Sequence, residues 1–167
     1  VIEKIDSRNK TWQLKNNEIT DLLRDSKNNI WIGTVNNGIY KYDFTNGQLA
    51  NGCFIASDKY SIRKNYIISL FEDKQGITWI GTSGGGIAKY DPDKFFFQQV
   101  LLTDQLGNQA PDNMIMGLLH IPGKGFIAGT QSGGIIEADS ASGNLTFFKN
   151  NPTYKQTLFH DNVYQML

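Results

Sequence analysis

Few residues in the chain could do chemistry, and they lie far apart. The glycine-rich run at 81–86 superficially resembles a phosphate-binding loop, but it lacks the Gly-Lys-Ser/Thr ending and leads into a strand pattern rather than a helix. His120 and His160 have no Ser, Cys or Asp partner in a recognisable nucleophile motif. A single cysteine, Cys53, and two distant histidines do not make a zinc site. We therefore predict no catalytic residue, no metal site and no cofactor.

Two aspartates precede a turn and a tryptophan at the same spacing, Asp25 before Trp31 and Asp73 before Trp79. The arrangement is close to an Asp-box hairpin, in which the carboxylate accepts hydrogen bonds from turn N–H groups. No second carboxylate recurs at a spacing that would complete an oxygen cage for a cation. The tryptophans could stack on a sugar ring, but side chains tied to a repeat position favour packing between neighbouring repeats.

These residues belong to a repeat. Gly33, Gly81 and Gly129 follow one another at intervals of 48 residues. The first two lie in the sequence Trp-Ile-Gly-Thr, and the third lies in a worn copy, Ile-Ala-Gly-Thr. A fixed period of this length indicates a repeat architecture.

Each repeat is predicted to contain four short strands. In the first repeat, period-two alternation and turn signals place them at 17–22, 29–34, 39–43 and 48–55. The fourth strands of the next two repeats are predicted at 95–100 and 144–149. Four strands in a repeat of roughly 40–50 residues are typical of a β-propeller blade. The predicted fold class is therefore all-β, a β-propeller fragment of four-stranded antiparallel blades. The predicted division is the end of a truncated blade at 1–14, blades at 15–64, 65–112 and 113–160, and the first strand of another truncated blade at 161–167.

Composition limits the partners. Sixteen Lys and Arg residues balance sixteen Asp and Glu residues, which gives no electrostatic case for nucleic acid or for an anionic membrane surface. No apolar run is long enough to span a bilayer. An open propeller leaves a blade face uncovered at each end, so we also expect the chain to self-associate.

The repeat motifs resemble a known family. They run Asn-x-Ile-x-x-Leu, then Asp-x-x-Gly/Asn-x-x-Trp-Ile-Gly-Thr, then Gly-Ile-x-Lys-Tyr-Asp. This pattern is similar to the two-component-regulator propeller repeat, strongly at 25–43 and 73–91. It is weaker in the third repeat, where Ile121 replaces the aspartate and Ile127 the tryptophan. The family builds sensor ectodomains of hybrid two-component systems in Bacteroides and their relatives. The resemblance implies a periplasmic, non-enzymatic part of an inner-membrane receptor, which detects an extracellular signal, often an oligosaccharide, and relays it to a histidine kinase.

The segments that differ between repeats are candidates for ligand binding. In a four-stranded meander, the loops after the second and fourth strands emerge on one face, and specificity usually lies in variable loops on a rigid frame. The loops between blades, at 56–64, 103–112 and 150–160, differ in every copy. The candidate residues on this face are Tyr60, Arg63, Lys64, Tyr154, Lys155 and His160, with the turn residues Asn36, Asn37, Ser83, Gln131 and Ser132.

Two alternative functions remain open on the sequence. Some propellers with similar repeats resemble lyases or glycosidases, which would need a His/Glu or paired-carboxylate site at the channel mouth. A protein-binding scaffold would use the same variable loops. Saturable binding of a purified oligosaccharide separates a sensor from a scaffold, and turnover of that oligosaccharide favours an enzyme.

Overall fold

The computed structural model describes residues 14, 18–53, 55–94, 96–100, 102, 110, 112–139, 142, 144–153 and 157–164. These residues form three four-stranded antiparallel sheets, each a meander in chain order. The first contains β1 (Ile19–Arg24), β2 (Ile30–Thr34), β3 (Ile39–Asp43) and β4 (Gln48–Gly52). The second contains β5 (Ile67–Glu72), β6 (Thr78–Thr82), β7 (Gly86–Asp91) and β8 (Phe96–Val100). The third contains β9 (Ile115–Ile121), β10 (Gly125–Thr130), β11 (Ile135–Asp139) and β12 (Leu145–Phe148). The predicted all-β class with four-stranded blades is confirmed. We call the sheets the first, second and third blades.

Strand ends differ from the prediction in places. The first strand, predicted at 17–22, runs from Ile19 to Arg24. The fourth strand, predicted to reach residue 55, ends at Gly52 because the chain turns there, with the Asp58 N–H donating to the Ile55 carbonyl at 2.9 Å. The third blade's last strand is Leu145–Phe148, shorter than the predicted 144–149. Apart from residue 14, the predicted blade end at 1–14 lies outside the described residues.

The glycines at intervals of 48 residues mark a close approach between blades. A Cβ atom on Gly33 would lie 2.9 Å from Ile67 Cγ2, at the start of the next blade. The same atom on Gly81 would lie 2.8 Å from Ile115 Cγ2, and on Gly129 it would lie 2.7 Å from Val163 Cγ1. Ordinary Cβ contacts are longer, so a residue with no side chain is needed where the second strand of one blade meets the first strand of the next.

The apolar core lies between the blades rather than inside one of them. Trp31 is 2% exposed, and its ring packs edge-on against Tyr90 of the second blade with centroids 5.1 Å apart. Trp79 is half-buried and packs against Phe126 of the third blade at 4.9 Å. The prediction that both tryptophans pack between blades is confirmed. Burial of such large rings supplies much of the apolar area by which neighbouring blades stabilise each other.

Both predicted aspartate hairpins form. Asp25 Oδ1 accepts the Asn29 backbone N–H at 2.7 Å, while Oδ2 accepts Asn29 Nδ2 at 2.8 Å and Trp31 Nε1 at 2.9 Å. Asp73 takes the same role, with Oδ2 accepting Trp79 Nε1 at 2.8 Å. The capping role is confirmed, and the bond to the indole is an addition that the sequence did not reveal. Each carboxylate therefore fixes both its turn and the tryptophan that reaches the next blade.

These bonds make stability depend on pH at the acid end. Burial raises the pKa of Asp25, but the hydrogen bonds from Asn29 and Trp31 outweigh it, so the pKa lies below its usual value of 3.8. A folded-state pKa below the unfolded value stabilises the fold above the unfolded pKa, and this contribution is lost as the pH falls through the folded pKa. We expect the free energy of unfolding from urea titrations to fall as the pH drops below 3.8. Asp25→Asn should reduce that slope, and an unchanged slope in Asp25→Asn would contradict the assignment.

Candidate functional site

Backbone hydrogen bonds place the turn after each second strand beside the start of the following blade. The Gly38 N–H donates to the Asn65 carbonyl at 2.9 Å, and the Gly86 N–H donates to the Asn113 carbonyl at 2.9 Å. The third blade repeats the contact, with the Gly134 N–H donating to the Asp161 carbonyl at 2.8 Å. The turns at 35–38, 83–85 and 131–134 therefore share one end of the blades with the segments that enter the next blade. We call this end the variable-loop face.

Lys64 and Ser83 come together on the variable-loop face. The Ser83 N–H donates to the Tyr66 carbonyl at 2.9 Å, which ties the turn to the start of its own blade. The Lys64 stem lies against Gly85, since a Cβ on that glycine would be 2.8 Å from Lys64 Cγ. Lys64 is exposed, so a cationic donor stands beside a turn whose backbone is held rigidly.

Asn36 and Asn37 occupy the equivalent turn of the first blade. Asn36 is exposed, whereas Asn37 is half-buried and its N–H donates to Thr34 Oγ1 at 3.1 Å. The Asn37 carbonyl accepts Asn51 Nδ2 at 2.9 Å. Of the two amide side chains, that of Asn36 is the more accessible to a ligand.

Gln131 and Ser132 form the exposed tip of the third turn. Asp112 Oδ2 accepts the Ser132 N–H at 2.8 Å and the Ser132 hydroxyl at 2.9 Å. Burial raises the pKa of Asp112, but hydrogen bonds from Met114 and Ser132 outweigh it and hold the pKa below its usual value. Ser132 is thereby occupied with orienting the turn, and Gln131 is left as the side chain that projects from it.

Tyr60 does not lie on the variable-loop face, contrary to the sequence-based expectation. Its ring packs against Phe96 with centroids 4.6 Å apart, and its carbonyl accepts the Phe97 N–H at 3.1 Å. Phe96 begins β8 just after the turn at the opposite end of the blade. The outermost strand offers an unpaired N–H and an apolar edge, and the loop covers both. Tyr60 and Arg63 line a groove of about 570 Å³ along β8, together with Gln98.

His160 stays near the variable-loop face. It is exposed, and its ring meets that of Phe159 edge-on at 5.0 Å. The next residue, Asp161, accepts the Gly134 N–H through its carbonyl, which places His160 beside the third turn. Tyr154 and Lys155 lie outside the described residues.

His120 was expected to face solvent because its counterparts in the repeat are Arg24 and Glu72. It is half-buried instead, with its ring stacked on Phe71 at 5.7 Å and 17° between planes. The reason is that β5 and β9 lie side by side in neighbouring blades, so the imidazole is covered by the preceding blade. His120 also lines a cavity of about 580 Å³ between the second and third blades, which the sequence motifs did not indicate. The available signal was Ala138, which breaks a repeat position held by tyrosine in the first two blades.

Metal-binding groups and membrane-spanning helices both bear on function. The described residues contain no group of three or more His, Cys, Asp or Glu side chains close enough to hold a metal ion. Within the same part of the chain, no helix has the length and apolar character needed to cross a membrane.

The fold and its repeats agree with known proteins. The family described as Two component regulator propeller matches residues 13–36 and 61–84. A structure described as the extracellular domain of the hybrid two component system BT4673 from B. thetaiotaomicron is 25% identical, with a TM-score of 0.74, over 97% of this chain and 20% of that one. The extracellular domain of BT3049 from the same organism is 21% identical over 90% of this chain and 20% of that one, with a TM-score of 0.75. Virginiamycin B lyase from Staphylococcus aureus is 16% identical over 81% of this chain and 42% of that one, with a TM-score of 0.60, which shows a likeness of fold alone. No curated protein matches the chain.

These findings define the class of the protein. It is a β-propeller fragment, spanning about a fifth of the length of the extracellular domains to which it is similar. More particularly, it carries two-component regulator propeller repeats, as its motifs indicated.

Proposed function

We propose that the chain is part of the periplasmic sensor domain of a hybrid two-component system histidine kinase. The observation that carries the proposal is the match to two-component regulator propeller repeats, joined with similarity over 97% of the chain to the extracellular domain of a hybrid two component system. In this role the fragment binds an extracellular signal, an oligosaccharide, and contributes to relaying it across the membrane. The catalytic step belongs to a kinase domain outside this chain.

The variable-loop face suits this role physically. Interblade hydrogen bonds and the close approaches at Gly33, Gly81 and Gly129 make the blades a rigid frame. The exposed side chains at its end differ from blade to blade, so ligand contacts can vary without disturbing the frame. A sensor shifts its equilibrium only by differential affinity for two states, so the ligand would also have to contact a part of the domain that moves relative to this frame.

The ligand site is tested by changing exposed side chains on the variable-loop face. Lys64→Ala and Gln131→Ala are each expected to weaken oligosaccharide binding about 3- to 10-fold, since each removes roughly one hydrogen bond to the sugar. Calorimetric titration of the whole ectodomain with a panel of purified oligosaccharides measures the change.

Matched controls exist on the same chain. Lys27→Ala and Gln75→Ala change the same residue types in exposed turns at the other end of the blades, and they should leave affinity unchanged. Tyr60→Ala and Arg63→Ala test the groove along β8 separately. Unaltered affinity in Lys64→Ala, Gln131→Ala and His160→Ala together would remove the site from this face, while turnover of the sugar would replace the sensor by an enzyme.

Self-association of the chain is also proposed. On β1 of the first blade, Leu22 is 60% exposed and Ile19 is 46% exposed, leaving apolar side chains in water. We expect light scattering to give a mass that rises above that of one chain with concentration, and Leu22→Lys to lower it. A monomeric mass at every concentration would contradict the proposal.

A further inference from the structure

A cavity of about 580 Å³ separates the second and third blades. Its volume lies within the range of small-molecule sites, about 300–1,000 Å³. The turn residues Asp73 and Gly123 lie on its rim, so it opens at the end of the blades opposite the variable-loop face. It is therefore distinct from the candidate oligosaccharide site, and ligand binding in this cavity would not depend on the sensor function.

The junction between the first and second blades shows how such a space is normally filled. There the Tyr90 ring lies between two aromatic rings, 5.1 Å from Trp31 and 5.3 Å from Phe97. Lys41 Nζ stands 5.5 Å from the centre of the Tyr90 ring, at the distance of a cation–π contact. Tyr90 thus occupies a slot made of an indole, an apolar side chain and an ammonium group.

The same slot exists at the next junction without its tyrosine. Trp79, Lys89 and Leu145 stand 48 residues after Trp31, Lys41 and Phe97, and all three line the cavity. The residue 48 positions after Tyr90 is Ala138, which also lines the cavity and has no ring. The walls of the slot are kept, and the group that fills it is absent from the chain.

The remaining neighbours do not close the slot. Phe126 lies 4.9 Å from Trp79 and covers part of that ring, yet Trp79 remains half-buried whereas Trp31 is buried. Lys89 Nζ stands 6.0 Å from the Trp79 ring, so the ammonium group is positioned as in the filled junction. A ligand ring that entered here would meet an indole face and a cation, both of which favour an electron-rich aromatic ring.

The rim adds a preference for negative charge. Lys74, Lys89 and His120 line the cavity and offer N–H donors. Of the two carboxylates on the rim, Asp73 accepts the Trp79 indole N–H and two turn N–H groups, and Asp139 accepts bonds from Ser142. With both carboxylates so bonded, the donors outnumber the acceptors that an anionic substituent would confront.

We propose that this cavity binds a small aromatic carboxylate, whose ring takes the place that Tyr90 occupies between the first two blades. The carboxylate would be held by Lys74, Lys89 or His120 at the mouth. The repeat itself supplies the template for the ligand, because an alanine has replaced the tyrosine while the walls of the slot remain.

The probe is 4-hydroxyphenylacetate, which carries the tyrosine ring and a carboxylate. Titration into the isotopically labelled 167-residue chain, followed by the indole N–H resonances, should shift the Trp79 signal saturably. The Trp31 signal is the internal reference, because its slot is already filled by Tyr90. Ala138→Tyr restores the repeat residue and should reduce binding at least 10-fold. Absence of a saturable Trp79 shift at millimolar probe, or equal binding by a folded Ala138→Tyr variant, would overturn the proposal.

A second comparison tests the charge and does not depend on the folding of Ala138→Tyr. Tyramine has the same ring with a cationic substituent, and it should bind several-fold more weakly than 4-hydroxyphenylacetate. Lys89→Gln should weaken the acid and leave tyramine unchanged, whereas Lys27→Gln, at a distant turn, should affect neither. Equal affinity for the two compounds, or an unaffected Lys89→Gln variant, would remove the anionic ligand class from the proposal.

Discussion

Gly81→Ala is expected to destabilise the chain by about 2–3 kcal/mol, because overpacking a filled core typically costs about 1–3 kcal/mol. An added Cβ would lie 2.8 Å from Ile115 Cγ2 and 2.3 Å from Ser69 Oγ. The hydroxyl can rotate away, but Ile115 is fully buried and belongs to the next blade. The two blades would therefore have to separate. Urea unfolding followed by tryptophan fluorescence measures the loss.

Two comparisons isolate the clash between blades. A Cβ on Gly47 would meet nothing within 4 Å, and φ is +68° there, so Gly47→Ala should cost only the backbone strain of about 1 kcal/mol. Ile115→Ala removes the Cγ2 atom that Gly81→Ala would strike. In that background the cost of Gly81→Ala should shrink, and strict additivity of the two changes would show that contact between blades is not the cause.

Asp25→Ala is expected to be the more damaging of two equivalent aspartate changes. It would leave the Asn29 N–H, the Asn29 side-chain amide and the Trp31 indole N–H without their acceptor in a buried place. Since a buried unsatisfied donor costs about 1–3 kcal/mol, we expect a loss of about 3 kcal/mol or more. Thermal and urea unfolding both report this quantity.

Asp73→Ala is the matched control at the same repeat position. Its hydrogen bonds are only part-buried, and Trp79 borders an open cavity, so water can replace the lost acceptor. We expect a loss of about 1–2 kcal/mol. Trp31→Phe removes the indole N–H, and Asp25→Ala should cost less in that background. Equal losses for the two aspartate changes would show that burial does not set the cost.

Much of the frame could be predicted because it repeats locally. The period of 48 residues, the four strands per blade and the aspartate turns all follow from spacings within one repeat. Trp31 and Trp79 were assigned to packing between blades because they recur at one position, and the structure places both there. Recurrence exposes residues with a shared structural role even when their contacts are unknown.

The candidate site was less predictable, because its residues are brought together by segments that do not repeat. The loop at 56–64 was expected to stay on one face, yet Tyr60 covers the edge of β8 near the other end. No periodicity governs that path, which is decided by an unpaired Phe97 N–H and an exposed Phe96 ring that the loop can cover. Lys64, from the same loop, does lie beside the turn that contains Ser83 and Gly85.

The sequence by itself determined the architecture: an all-β propeller fragment, its blades, and the repeats it shares with two-component regulator propellers. Only the tertiary structure decided what lies between blades, namely the close approaches at the repeated glycines, the stacking of His120 on Phe71 and the cavity beside Ala138. The physical reason is that strand periodicity and turn chemistry act over a few residues along the chain. Packing between blades depends on side-chain volumes about 48 residues apart, where replacement of a tyrosine by an alanine alters no local signal and yet opens a cavity.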